Sequence, residues 1–128
     1  MRVMVLIKED QNSEAGVLPD QKFVNEMMQF NEDLVKAGVM LAAEGLYPSS
    51  KGVRVYFSGG KSTVVDGPFA ETKELIAGFM LWQVKTMEEA VEWIKRFPKP
   101  AGVGEGVIEI RQVFEMDDFQ RDLHAQDR

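Results

Sequence analysis

Asp66-Gly67-Pro68-Phe69-Ala70-Glu71-Thr72-Lys73-Glu74 packs a turn, two backbone-restricted residues, an aromatic and four charges into nine positions. A connection between strands needs only a few residues, so this one carries more chemistry than reversing the chain requires. The residues on either side read as strands. Upstream, Val53, Val55 and Phe57 alternate with Arg54, Tyr56 and Ser58, the period of a half-polar strand. Gly59-Gly60 supplies a hairpin turn and Thr63-Val64-Val65 returns from it. Downstream, Ile76 to Val84 is a long apolar strand containing Phe79, Leu81 and Trp82.

Further out, residues 2–8 read as a first strand and residues 9–19, polar and carrying Gly16 and Pro19, as a loop. Phe23, Met27, Phe30 and Leu34 recur at helical spacing, with Asp20 placed to cap the start and Gly38 after the last turn. Val39 to Leu46 reads as a strand. Thr86-Met87-Glu88-Glu89 is a capping box opening a second helix whose stripe is Met87, Ala90, Val91, Ile94 and Phe97, and Pro98 stops it. Pro100, Gly102, Gly104 and Gly106 mark a loop before a final strand, Val107 to Phe114. That glycine run precedes a strand and not a helix, so it lacks the helix-terminus amides that phosphate binding uses.

The chain of 128 residues suits one domain, predicted over residues 1–115 with a polar tail over 116–128, either mobile or a short helix docked on a partner. There is no cysteine, which excludes disulfides, thiolate catalysis and cysteine-ligated metals. The single histidine, His124, lies in the tail, and one histidine with scattered acids makes no zinc site. A net charge of -6 argues against nucleic-acid binding. No apolar run approaches the roughly 20 residues of a membrane span, and the N-terminus lacks the features of a secretory signal, so the cytoplasm is the expected compartment. No nucleotide-binding or nucleophile-elbow motif occurs, and no cofactor is expected.

The element order β-α-β-β-β-β-α-β predicts an α+β fold: a ferredoxin-like antiparallel sheet with two helices on one face and a β-hairpin, residues 53–65, inserted between the halves. The other sheet face carries apolar side chains with no helix left to cover them. Two such faces meeting in a symmetric homodimer would enclose a shared interior, a natural place for a ligand.

Four segments in order carry a family resemblance: Ala43-Glu44-Gly45-Leu46; Asp66 to Glu74 with Gly78-Phe79; Glu89-Ala90 through Trp93 to Phe97-Pro98; and Ile108-Glu109-Ile110-Arg111. Over residues 1 to about 115 the chain resembles the YCII-related proteins, specifically the subgroup named for its Asp-Gly-Pro-Phe (DGPF) motif. The resemblance implies a dimeric α+β barrel. It also implies a histidine–aspartate pair suspected of catalysis. Asp66 matches that aspartate, while Met27 and Met28 stand where the first helix would carry the histidine. Relatives are often associated with extracytoplasmic-function sigma factors, which implies a regulatory alternative.

Asp66 has two readings. It is either a turn former whose carboxylate bonds nearby amides, or a general base at the mouth of the interior. A positive φ at Gly67 together with a fully bonded Asp66 would mark a purely structural turn. Glu44, near a strand end, needs a solvent edge or a cation, and Arg54 is its sensible partner or else a clamp for an anionic ligand. Phe69 reads as a loop anchor or a stacking surface, and Glu71 as solvated or ligand-facing. Tyr47 is a candidate pocket residue, and Arg111 is a partner for Glu109, for an acid of a second chain or for an anion. Two functions follow. One is a cofactor-independent acid–base lyase or isomerase acting on a small anionic organic molecule, with Asp66 as proton acceptor. The other is a non-catalytic binding or regulatory module.

Overall fold

The computed structural model describes residues 1–99 and 106–126, with side chains described through residue 121. The predicted loop over Pro100, Gly102 and Gly104, and the side chain of His124, lie outside the described residues.

Strands β1 (Arg2–Lys8), β2 (Met40–Gly45), β5 (Ile76–Gln83) and β6 (Ile108–Gln112) form a four-stranded sheet in the order β2-β5-β1-β6. Every neighbouring pair is antiparallel. Strands β3 (Val53–Ser58) and β4 (Lys61–Asp66) form a separate two-stranded antiparallel sheet. Their turn, Gly59-Gly60, has φ of 58° and 77°. Positive φ at both central residues gives the twist that two-residue hairpins need, and glycine alone adopts it freely.

The helices are α1 (Gln11–Glu14), α2 (Gln21–Lys36), α3 (Met87–Ile94) and α4 (Met116–Gln126). Asp20 Oδ1 accepts from the Phe23 amide at the start of α2. At its end Gly38, φ 74°, donates to the Val35 carbonyl, and Val39 to the Leu34 carbonyl. Two of the carbonyls left open by the helix terminus are thereby bonded. The predicted box on α3 forms with one change. The Glu89 amide donates to Thr86 Oγ1, but the Glu89 carboxylate accepts from the Lys85 amide, one residue before the cap.

Val3, Val5, Met80 and Trp82 from the central strands meet Phe30 and Leu34 from α2 and Ala90 from α3 in one core cluster. Helices α2 and α3 therefore cover the same face of the sheet. Trp82, Leu34, Val3 and Val5 are its largest fully buried side chains, each contributing about 1.5–3 kcal/mol relative to exposure. Phe30 packs edge-on to Phe97, centroids 5.4 Å apart, and to Trp93 at 6.5 Å. Two buried polar atoms, Trp82 Nε1 and Asn31 Oδ1, have no hydrogen-bond partner among the described residues, a cost of about 1–3 kcal/mol each.

Cross-strand partners share a face, so the register defines what lies opposite the helices. One row runs Glu44–Phe79–Leu6–Glu109 across the sheet and the next Ala42–Leu81–Met4–Arg111. None of these residues belongs to the core cluster. The open face thus has an apolar centre with charged residues toward its edges.

One expectation changes and another narrows to one of its two readings. Residues 9–19 are not wholly loop, because Asp10 and Ser13 bond each other reciprocally and wind α1. The C-terminal tail is helical through Gln126. It is tied to β1 by a bidentate pair in which Arg2 Nε and Nη2 donate to Glu115 at 2.7 and 2.9 Å. Among the described residues no helix is long and apolar enough to cross a membrane.

Candidate functional site

The Asp-Gly-Pro-Phe loop lies at the end of the sheet where β1 runs out and β5 begins. Its backbone is fixed from several directions. The Gly67 amide donates to the Gly52 carbonyl at 2.9 Å, and the Gly67–Pro68 bond is cis. The Phe69 amide donates to Ser49 Oγ at 2.9 Å. Ser49 is itself held by Glu14, whose carboxylate accepts from the Ser49 amide at 2.7 Å and from its hydroxyl. The Arg54 guanidinium lies 3.9 Å from the centre of the Phe69 ring, a cation–π stack that closes the loop against the base of the hairpin. A 3-10 turn, Thr72–Glu74, then leads into β5.

Glycine at position 67 is required by contact and not by dihedral angle. Its φ is not in the positive region. A Cβ there would lie 1.8 Å from the Ser49 carbonyl oxygen, far inside any tolerated approach. The pairing of this loop with the Pro48–Gly52 segment is therefore backbone against backbone.

Asp66 behaves differently from its neighbours. It is exposed, and the bonds that secure the turn come from Ser49, Glu14 and Gly52. Its carboxylate makes no hydrogen bond or ion pair among the described residues. Neither mark of a purely structural turn, a positive φ at Gly67 or a fully bonded Asp66, is present. In the hairpin register Asp66 pairs with Val53. It therefore shares a face with Val53, Val55, Phe57 and Val64, whereas Arg54 faces the other way with Val65, Tyr56 and Thr63.

The remaining candidates are spread out. Glu44 is exposed and is not joined to Arg54; it stands on the open sheet face across from Phe79. Arg111 is on β6, three strands away from Glu44, or about 14 Å at ordinary strand spacing, and its Nη1 lies 3.4 Å from Glu109 Oε2. Tyr47 is largely exposed, with Lys51 Nζ 5.1 Å from its ring centre. Glu71 is exposed and caps the 3-10 turn through no side-chain bond. Phe69 is the anchor beneath Arg54. Phe69 and Arg54 therefore stack together at the hairpin base, Asp66 stands at the same base on the opposite face, and Glu44 and Arg111 lie at opposite edges of the sheet. Among the described residues no cluster of His, Cys, Asp or Glu has the arrangement of a metal site.

Three residues join the site that sequence reading missed: Ser49, Glu14 and Glu9. Glu9 is only 8% exposed, and its carboxylate accepts from Ser13 Oγ at 3.1 Å. Burial pushes it above the ordinary carboxylate range; the Ser13 bond opposes that rise, and the nearby charges of Glu14 and Asp10 add to it. The available signals were an acid directly after an apolar strand and the Asp10/Ser13 pair. Nothing local tied Ser49 to Phe69, 20 residues on.

An antiparallel sheet in the order β2-β5-β1-β6, both core helices on one face, and a braced loop at the sheet end define an α+β domain consistent with a ferredoxin-like arrangement. The chain belongs to the YCII-related domain family, which matches residues 1–117. It is also similar to an uncharacterized protein, R00369, of Rhizobium meliloti (strain 1021). The two are 29% identical over 92 residues, covering 72% of this chain and 73% of that protein.

Proposed function

We propose that this chain is a member of the DGPF subgroup that works as a cytoplasmic homodimer. It carries out cofactor-independent acid–base chemistry, of lyase or isomerase type, on a small anionic organic molecule. Asp66 is the proton acceptor. The observation that carries this reading is the contrast within one loop: the backbone is pinned by Ser49, Gly52 and the Phe69–Arg54 stack, while the Asp66 carboxylate bonds nothing among the described residues. A carboxylate on a rigid support, with no internal partner, is prepositioned for an external one. Arg54 is the cation that the loop itself positions. Its ring stack leaves the guanidinium edge available to an anionic group, and a substrate reaching both residues spans the hairpin base. Open sheet faces meeting across a two-fold axis would close this end of the molecule from solvent.

The test is thermal melting of wild type and Asp66→Asn against small carboxylate-bearing metabolites, followed by turnover assays on any stabilising compound. The expected outcome is a ligand that stabilises the wild type and whose conversion falls by about 100-fold or more in the variant. Absence of any ligand shift, or turnover unaffected in Asp66→Asn, would refute the assignment. A second reading, a non-catalytic regulatory module, is favoured by one observation, the exposed apolar hairpin. It predicts capture of a specific protein that hairpin substitutions abolish, with no small-molecule response.

A further inference from the structure

The connection between β1 and α2 reaches the Asp-Gly-Pro-Phe loop through one acid. Both oxygens of Glu14 accept from Ser49, Oε1 from its amide at 2.7 Å and Oε2 from its hydroxyl. Ser49 Oγ in turn accepts from the Phe69 amide at 2.9 Å. A serine hydroxyl has a single proton to donate. Given to Glu14, it leaves the oxygen lone pairs turned toward Phe69. The direction of this relay is therefore set at the Glu14 end. A hydroxyl that donates to a carboxylate is also a stronger acceptor for the next donor in the chain.

Each end of the relay has its own support. On one side, α1 is four residues long and is wound by the reciprocal bonds of Asp10 and Ser13. Ser13 Oγ also donates to the buried Glu9 at the end of β1, and the Val17 amide closes the turn on the Asn12 carbonyl at 2.9 Å. Glu14 is thus carried on an element tied to β1 and not to the hairpin. On the other side, Ser49 and Gly52 are linked through one 3-10 turn, the Gly52 amide donating to the Ser49 carbonyl at 2.9 Å. Gly52 then accepts from the Gly67 amide at 2.9 Å. That amide belongs to the planar peptide unit that begins at the Asp66 carbonyl. Holding Ser49 therefore holds the loop at Phe69 directly and at the Asp66–Gly67 peptide through Gly52.

We propose that Glu14 is a positioning residue for the candidate site: acting through Ser49, it seats the loop that carries Asp66, so the order of the β1–α2 connection governs the order of that site. The inference rests on the preceding reading of Asp66 as the reacting group and adds what controls its support. Glu14 serves as an acceptor at both oxygens. Glutamine has the same size but one acceptor oxygen and one amide that only donates. If that amide faces the Ser49 N–H, two donors oppose each other. If it faces Ser49 Oγ, the hydroxyl accepts twice and its own proton has no partner in the relay. A Glu14 that only filled space or supported α1 would tolerate the exchange.

The experiment is amide exchange read by NMR on the full chain, comparing Gly67 and Phe69 with Val5 and Met80 in the central strands. The proteins are wild type, Glu14→Gln, Ser13→Ala, Ser49→Ala, Ser49→Thr and the double variant Glu14→Gln/Ser49→Ala. Glu14→Gln is expected to speed exchange at Gly67 and Phe69 by about 10-fold, the size of one ordinary hydrogen bond, with Val5 and Met80 unchanged. Ser13→Ala, which alters no residue of the loop, moves the same two amides in the same direction. Ser49→Ala exposes them at least as much, Ser49→Thr keeps the hydroxyl and the wild-type rates, and the double variant adds nothing to Ser49→Ala. Wild-type rates at both loop amides in Glu14→Gln or in Ser13→Ala overturn the proposal. Parallel acceleration at Val5 and Met80 also overturns it, since Glu14 would then act on global stability. Additive effects in the double variant overturn it by routing Glu14 past Ser49. The chemistry is judged separately, because these amides need no ligand. Asp66→Asn leaves the relay intact and keeps both loop amides protected, whatever its turnover.

Discussion

Adjacent residues in the loop do opposite jobs. Gly67 has no room for a side chain, since a Cβ would collide with the Ser49 carbonyl, and that oxygen belongs to backbone and cannot swing away. The Asp66 carboxylate bonds nothing among the described residues. The consequence is a sharp split in substitution tolerance. Gly67→Ala should destabilise the domain by about 3 kcal/mol, at the upper end of overpacking penalties. Asp66→Asn should stay within about 0.5 kcal/mol of wild type, as surface changes do. Urea unfolding of both variants measures this, and a large stability loss in the Asn variant would show that the carboxylate has a structural partner after all. The sequence alone marks Gly67 as a backbone-restricted residue of the turn but not what restricts it. The close approach that actually demands glycine involves Ser49, which no local pattern connects to it.

Elements whose information is local were legible. The α2 stripe, its Asp20 cap, the Gly38 terminator and the Gly59-Gly60 turn can each be read from a few consecutive residues, and each forms. Elements whose cause is reciprocal or distant were not. α1 exists because Asp10 and Ser13 bond each other, which a polar stretch conceals. The brace from Glu14 to Ser49 spans 35 residues. α4 belongs to the second kind, since its attachment is the Arg2–Glu115 pair across 113 residues. The Arg2 guanidinium holds the Glu115 carboxyl below the ordinary carboxylate range, chiefly by hydrogen bonding. A carboxylate with a depressed folded value stabilises above its unfolded pKa and loses that contribution as pH falls through the folded one. Docking of α4 should therefore weaken on acidification below the ordinary glutamate range. Amide exchange over residues 116–121 should rise there, as it should at neutral pH in Glu115→Gln. Exchange that is flat with pH in both proteins would show that α4 is held by its apolar side chains alone.

At the scale of the whole molecule, stability and pH are linked through a second acid of opposite sign. Glu9 sits where β1, α1 and the start of β5 meet, its amide donating to the Leu75 carbonyl and its carboxylate nearly excluded from water. Because burial raises its folded value above the 4.5 of an ordinary glutamate, the native state holds a proton that the unfolded chain has released in the interval between those two values. Unfolding there releases a proton, so stability falls as pH rises through the interval and recovers on acidification. Glu14 and Asp10 face the same group and are both acidic, which reinforces the direction. Glu9→Gln keeps an acceptor for Ser13 Oγ and removes the charge. The variant should be more stable than wild type at neutral pH, with the advantage shrinking as pH falls toward the ordinary carboxylate value. The two acids pull the global curve in opposite directions on the acid side, and the pair of variants separates them: Glu9→Gln removes the rise on acidification, Glu115→Gln the fall. Chemical denaturation of the full chain at a series of pH values is the measurement. A Glu9→Gln protein less stable than wild type across the range would mean that the ionised carboxylate is bound by a cation or donor at this end of the sheet. In that case the raised value would be replaced by a depressed one, and the buried acid would be part of the site rather than a strain beneath it.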